Sequence, residues 1–148
     1  MTDQPAPLTS TFVLSLRVDV AAPVKIGPSD LGERQYIPIT GGAFEGFGPA
    51  EGLTGKVLSG GADWQLTRAD GVTEVEAHYA IETEAGEVIV VRNCGLIDRT
   101  AERPYVRTAP RFQAPEGRLG WLNRSLFVGT IRVASDFSHV VISVFRID

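Results

Sequence analysis

The chain has 148 residues, of which 43% are hydrophobic and 22% are charged, and its formal net charge is −4. These values are typical of one soluble globular domain whose core is large enough to fold without metals or disulfides. The acidic balance and the scattered basic residues argue against a nucleic-acid-binding protein. A single cysteine, Cys94, allows no internal disulfide, and no apolar run is long enough for a membrane span, so we expect a cytoplasmic protein.

Apolar and polar residues alternate along most of the chain with the period of two that indicates β-strands. The polar, proline-containing start predicts a flexible tail over residues 1–10, followed by a single domain over 11–148. In chain order, the predicted strands cover residues 12–20, which continue after a kink at 24–26, and then residues 35–40, 42–47, 53–59, 62–68, 72–84, 87–93, 105–112, 125–133 and 139–147. Residues 117–123 read as a loop with a short strand.

Nine or ten short strands with a turn signal about every ten residues are typical of a β-sandwich or a β-barrel. We favour an all-β fold with a single antiparallel barrel of about 8–10 strands, because closure removes unpaired strand edges. A barrel of this size can also enclose one small ligand. The glycine-rich stretch 41–71 is then expected to bend strands and to shape one wall of the interior.

The turn at residues 84–86 suits a three-residue hairpin loop with Gly86 in the left-handed conformation. This loop pairs Thr83 with Glu87, which places Tyr79 and Asn93 on the same inward face. A polar amide at the end of an apolar wall is either a satisfied core group or a ligand contact.

The turn at Asp70-Gly71 allows two registers, and a one-residue slip reverses every side chain of the strand before it. A two-residue loop points Trp64 inward, whereas a three-residue loop points Asp63 inward instead. Burying a large apolar side chain contributes about 2 kcal/mol or more. We therefore expect Trp64 to face the interior, with Asp63 inward as the alternative.

Several ordered segments resemble the domain-of-unknown-function family numbered 3237, a family of small bacterial and fungal proteins. They are residues 32–34 (GER), 37–46 (IPITGGAFEG), 55–65 (GKVLSGGADWQ), 70–71 (DG), 84–86 (EAG), 105–112 (YVRTAPRF) and 121–123 (WLN). The resemblance covers about residues 12–146. It implies a lipocalin-like barrel with an interior pocket, and it implies oligomers, but it does not imply a defined activity.

Candidate site residues follow from chemistry and predicted position. Asp63 is the candidate base, Tyr79 the candidate acid, and Arg107 or Arg34 the candidate group that stabilises an oxyanion. Each also has a purely structural interpretation. Asp63 would cap a turn, the Tyr79 hydroxyl would be hydrogen-bonded within the core, and the arginines would form surface ion pairs. Further candidate ligand contacts are Arg34, Trp64, Asn93, Tyr105, Trp121 and Asn123.

No recognised spacing of metal ligands and no phosphate loop is present, so we expect neither a metal nor an organic cofactor. Three interpretations stay open. The first is an acid–base enzyme, such as an isomerase, dehydratase or cyclase, that acts on a small aromatic or enolisable molecule. The second is a lipocalin-type binding protein without chemistry, and the third is a barrel filled by its own side chains. The expected partner is a small molecule, not nucleic acid or membrane, and the chain is compatible with a homo-oligomer.

Overall fold

A computed structural model describes residues 3–148 and consists almost entirely of β-strands. The first two residues of the predicted tail lie outside the described residues. The strands are β1 (Ser10–Val20), β2 (Val24–Ser29), β3 (Gly32–Gly46), β4 (Thr54–Val57), β5 (Ala62–Thr67), β6 (Thr73–Thr83), β7 (Val88–Asp98), β8 (Tyr105–Gln113), β9 (Phe127–Val133) and β10 (His139–Ile147). Short 3-10 helices at Gly48–Ala50 and Gly120–Arg124 complete the described part, in which no helix is long and apolar enough to cross a membrane.

The strands form a closed antiparallel barrel, as the alternation predicted. Neighbouring strands follow the order β1, β10, β9, β8, β7, β6, β4 and β3, and β3 pairs with β1 to close the ring. Strand β5 occupies the same position as β4, because both pair with β3 on one side and with β6 on the other. The barrel therefore has eight strand positions, and the predicted fold class is confirmed.

Strand β2 continues beside β3 after β1 ends. Val20 of β1 pairs with Ile39, and Val24 of β2 pairs with Tyr36, so the two strands lie end to end along β3. Pro38 of β3 stands where β1 gives way to β2, and its carbonyl accepts a hydrogen bond from the amide of Ala21. A residue without an N–H group is tolerated there because the ladder is already interrupted.

A pair of glycines separates β4 from β5. Gly60 has a φ of +106°, which favours glycine, and the amide of Ile39 donates to the carbonyl of Gly61. A Cβ atom on Gly61 would lie 2.5 Å from both the carbonyl oxygen of His78 and the Cβ of Tyr79. The glycine pair thus lets one strand position bend closely over the backbone of β6.

The bend divides the barrel into two halves. In one half, the 3-10 helices cover a packed core whose largest fully buried side chains are Leu14, Leu16, Ile81, Ile89, Leu122, Val13, Val91 and Val144. None of these side chains lines the cavity that occupies the other half. The largest fully buried side chains therefore lie at the closed end, and the interior at the opposite end has room for a ligand.

We predict that Gly61→Ala destabilises the protein by about 1–3 kcal/mol, because the added methyl group meets backbone of β6 that cannot move independently. Chemical unfolding measures the change. Gly120→Ala is the matched control, since a Cβ there has no neighbour within 4 Å. Equal stability of the two variants would contradict the close approach.

Candidate functional site

The open half of the barrel contains a cavity of about 410 Å³, which is within the range of small-molecule sites. Its walls differ in character. Strands β1, β9 and β10 contribute an apolar wall of Val18, Val20, Ile131, Val140 and Ile142, whereas β3 and β5 to β8 contribute most of the polar groups. A barrel filled by its own side chains, the third interpretation of the sequence, does not hold for this half.

The hairpin between β5 and β6 sets which side chains of β5 face the cavity. The amide of Arg68 donates to the carbonyl of Val72 at 2.9 Å, so the loop contains three residues, Ala69, Asp70 and Gly71. Asp63 then pairs with Ala77, and alternation points Asp63 into the cavity. The predicted inward position of Trp64 is wrong, and the alternative register is the one adopted.

Local loop chemistry explains this outcome. Gly71 has a φ of +86°, and the Asp70 carboxylate accepts a hydrogen bond from the amide of Val72 at 3.1 Å. Trp64 keeps part of its apolar contact on the outer face, where its ring lies 4.6 Å from that of Tyr36 and 44% of the residue is exposed. Trp64 therefore stays partly buried on the outer face, and the two registers differ less in buried apolar area than the sequence suggested.

Asp63 ends a chain of side-chain hydrogen bonds. The Gln35 amide donates to Gln65 at 2.8 Å, and the Gln65 amide donates to Oδ2 of Asp63 at 2.9 Å. The other carboxylate oxygen, Oδ1, is buried and has no hydrogen-bond partner among the described residues. Burial raises the pKa of Asp63, and the hydrogen bond from Gln65 opposes this only in part.

Tyr79 lies on the inward face, as predicted, opposite Val91 on β7. It is 6% exposed, and its hydroxyl makes no hydrogen bond within the described residues. Burial, and then the nearby charge of Asp63, raise the pKa of Tyr79 well above its usual range. The hydroxyl therefore stays protonated at neutral pH and is available as a donor.

Two further polar side chains are buried at the cavity. Asn93 is 4% exposed and Thr108 is 3% exposed, and neither Oδ1 of Asn93 nor Oγ1 of Thr108 has a partner among the described residues. The pairing of Thr83 with Glu87 and the inward position of Asn93 are confirmed. Thr108 was not predicted as a site residue, although the period of two along β8 places it on the same inward face as Phe112.

Three predicted site residues lie on the outer face instead. Arg34 alternates with the cavity-lining Gln35, while Tyr105 and Arg107 alternate with the inward-facing Thr108. Nη1 of Arg107 donates to the carbonyl of its neighbour Val106 at 2.7 Å. Their predicted place inside the barrel is therefore corrected. The cation that the structure does bring to the cavity is Arg99, exposed just beyond the end of β7, which the sequence analysis did not single out.

Trp121 and Asn123 lie in the 3-10 helix at the closed end rather than at the cavity. The Asn123 side chain accepts from the amide of Ala114 at 2.7 Å and donates to the carbonyl of the same residue at 2.9 Å. The Trp121 ring lies 6.2 Å from that of Phe127 in the core. Both residues anchor a packed loop, which was the structural alternative to a lid.

The outward position of Trp64 can be tested by fluorescence. Trp121→Phe leaves Trp64 as the one remaining tryptophan. We expect its emission to be quenched readily by iodide, because nearly half of Trp64 is exposed. In the reciprocal variant, Trp64→Phe, the emission of the partly buried Trp121 is expected to be quenched less. Emission from Trp64 that iodide does not reach would contradict the register.

The raised pKa of Asp63 predicts how stability depends on pH. A carboxyl with a folded-state pKa above its ordinary 3.8 favours folding when protonated, and this contribution is lost as the pH rises through the folded-state pKa. The melting temperature of Asp63→Asn, relative to the wild type, should therefore rise between pH 3 and pH 7.

Asp98→Asn provides a control of opposite sign for this measurement. Hydrogen bonds from Thr100 hold the pKa of Asp98 below its usual range, so that variant should lose stability relative to the wild type over the same interval. A difference between Asp63→Asn and the wild type that does not change with pH would show that the Asp63 carboxyl is not perturbed.

Comparisons with known proteins agree with this fold. The chain matches the family described as "Protein of unknown function (DUF3237)" over residues 8–147. A UPF0311 protein of Rhodopseudomonas palustris is 34% identical, over 95% of this chain and 97% of that protein. The crystal structure of a β-barrel-like protein from Acinetobacter baumannii is 27% identical, with a TM-score of 0.86 over 99% of this chain and 100% of that one.

A crystal structure described as an enzyme from Penicillium herquei has a TM-score of 0.78 and 24% identity, over the full length of both chains. At this identity the similarity is evidence for the fold. The family match spans nearly the whole chain, and the bacterial relative matches at similar coverage. On these grounds the chain belongs to the DUF3237 family.

Proposed function

We propose that the protein is an acid–base enzyme that binds a small, largely apolar, enolisable or aromatic molecule inside the barrel. The cavity of about 410 Å³ is large enough for such a molecule, and its apolar wall suits a hydrocarbon or ring face. Asp63 acts as the base and Tyr79 as the hydrogen-bond donor. The reaction class is an isomerisation, an elimination of water or a cyclisation of the kind that begins with removal of a proton.

The single observation that carries this proposal is the state of the Asp63 carboxylate. Gln65 fixes one oxygen, while the other faces the cavity without a partner among the described residues. A carboxyl whose pKa is raised by burial is a stronger base than an exposed one when ionised. The carboxylate of Asp70, which caps a turn, instead accepts a hydrogen bond from the backbone amide of Val72.

Tyr79 takes the role that the sequence analysis gave to arginine. Removing a proton from the carbon beside a carbonyl leaves the electron pair on the carbonyl oxygen as an enolate. The protonated Tyr79 hydroxyl can donate a hydrogen bond to that oxygen. Protonated Asp63 then returns its proton to another carbon, or to a departing hydroxide, which completes an isomerisation or an elimination.

A lipocalin-type binding protein without chemistry is the second candidate. The observation that favours it is the extent of the apolar wall, since β1, β9 and β10 contribute mostly aliphatic side chains to the cavity. The Penicillium herquei structure, described as an enzyme, shares the fold and supports the first candidate only at the level of architecture. Turnover is therefore the measurement that separates the two.

We expect the protein to catalyse exchange of carbon-bound hydrogen for deuterium in a panel of simple cyclic ketones and aryl ketones dissolved in D2O, followed by proton NMR. Asp63→Asn should lower the exchange rate by about a hundredfold or more, because an amide is not a base at neutral pH. Asp19→Asn, which alters an exposed carboxylate beside Arg17, is the matched control and should leave the rate unchanged.

Binding of these ketones without exchange above the buffer rate would favour the binding protein. Exchange that is equally fast in Asp63→Asn would remove Asp63 from the proposed role while leaving an enzyme in place. Melting temperatures measured at pH 7 show whether each variant is folded, so loss of exchange is not confused with unfolding.

A further inference from the structure

Three buried polar atoms of the cavity wall have no hydrogen-bond partner among the described residues. They are Oδ1 of Asp63, Oδ1 of Asn93 and Oγ1 of Thr108. All three residues line the same cavity, and Asn93 and Thr108 are more than nine-tenths buried. Buried polar groups are nearly always paired in folded proteins, and leaving one unpaired is destabilising. Their concentration at one cavity points to groups that are paired by a ligand.

The chemistry of these atoms restricts that ligand. An ionised carboxylate and an amide oxygen are acceptors only, and a threonine hydroxyl both accepts and donates. The ligand must therefore bring hydrogen-bond donors to at least two positions. A carboxylate or phosphate at this wall would instead meet the Asp63 carboxylate with its own acceptors, without a buried cation to compensate. Arg99, the cation among the described cavity-lining residues, is exposed and follows the end of β7.

The strand register places the acceptors along one edge. Asp63 on β5, Ala77 on β6 and Asn93 on β7 are consecutive partners in the ladder. Adjacent strands are about 4.8 Å apart, so the Cα atoms of Asp63 and Asn93 are separated by roughly two such spacings. The small side chain of Ala77 leaves room between them. Thr108 is a diagonal neighbour of Asn93, because Asn93 pairs with Pro110 two residues further along β8.

The opposite wall supplies the other half of the recognition. Aliphatic side chains of β1, β9 and β10 face this row of acceptors across the cavity. Such a space suits a flat hydrocarbon body whose polar substituents all lie along one edge. A uniformly polar ligand, such as a sugar, would leave hydroxyl groups unpaired against the aliphatic wall.

We propose that the ligand is a neutral, flat molecule with at least two hydroxyl or N–H donors along one edge, held by Asp63 at one end and by Asn93 with Thr108 at the other. This inference rests on the proposed function, because it concerns the same cavity and uses the same Asp63. It adds a second binding position, formed by Asn93 and Thr108, that determines specificity and takes no part in proton removal.

The test uses the full chain and three matched probes: 2,7-dihydroxynaphthalene, 2-naphthol and 2,7-dimethoxynaphthalene. Titration calorimetry or quenching of protein fluorescence gives each dissociation constant. For the wild type we expect the dihydroxy compound to bind at least about tenfold more tightly than the dimethoxy compound, with 2-naphthol between them, because each lost donor leaves a buried acceptor unpaired.

Variants at the second position make the test specific. Asn93→Leu should weaken binding of the dihydroxy compound about tenfold and leave the dimethoxy compound unchanged or tighter, since an apolar side chain replaces the unpaired amide. Thr108→Val, which exchanges a hydroxyl for a methyl group of similar size, should act in the same direction to a smaller extent. It serves as the second test if Asn93→Leu fails to fold.

Equal affinity for the dihydroxy and dimethoxy compounds in the wild type would overturn this inference, and the deuterium-exchange result for Asp63 would stand. A preference for the dihydroxy compound that survives both substitutions would also overturn it, because the donors would then be recognised elsewhere. Failure of all three probes to bind would overturn it as well. If the wild type catalyses no exchange but binds the dihydroxy compound more tightly than the dimethoxy compound, the result would contradict the proposed enzyme and support this binding mode.

Discussion

The hydrogen bond from the amide of Arg68 to the carbonyl of Val72 fixes the chemical character of the barrel interior. It closes a three-residue loop and thereby places Asp63 and Gln65 inside and Trp64 outside. With one residue fewer in the loop, the same strand would present an aromatic ring to the cavity and a carboxylate to water. The polar wall and the unpaired carboxylate oxygen both depend on this register.

Placing a carboxylate inside has an energetic cost that the surrounding residues offset in part. Gln35 and Gln65 form a relay that pairs one oxygen of Asp63 and fixes the orientation of its side chain. The second oxygen, together with Oδ1 of Asn93 and Oγ1 of Thr108, stays unpaired within the described chain, so this wall carries unfavourable desolvation. Concentration of such costs at one site is common where a protein exchanges stability for function.

Sequence reasoning predicted most of the fold but less of the site. Alternation gave nearly all strands and the barrel, because the period of two is imposed directly by burial of one face. The loop at residues 84–86 fixed the position of Asn93, since only one loop length suited its glycine. The loop at Asp70-Gly71 did not fix which of Asp63 and Trp64 faces inward, because burial of Trp64 and capping by Asp70 favoured different registers. The Trp64 ring also packs on Tyr36 outside the barrel.

The arginines show a second limit of the sequence. Arg34 and Arg107 have the chemistry to stabilise an oxyanion, but both side chains lie on the outer face of the barrel. Which face a residue of β8 occupies is set by the register of β8 against β7. That register depends on long-range contacts and cannot be read from a turn next to the strand. Thr108, Gln35 and Gln65 are ordinary residues in the sequence and gain importance only when three or four strands bring them to one wall.

The glycine bend between β4 and β5 has a consequence for how this fold can diversify. It separates a half that holds the largest fully buried side chains from a half that holds the cavity. A mutation at the cavity wall therefore leaves the largest fully buried side chains in place. The fold can accommodate other residues at the cavity wall while its closed end stays unchanged. One scaffold can in this way carry different chemistries in different organisms.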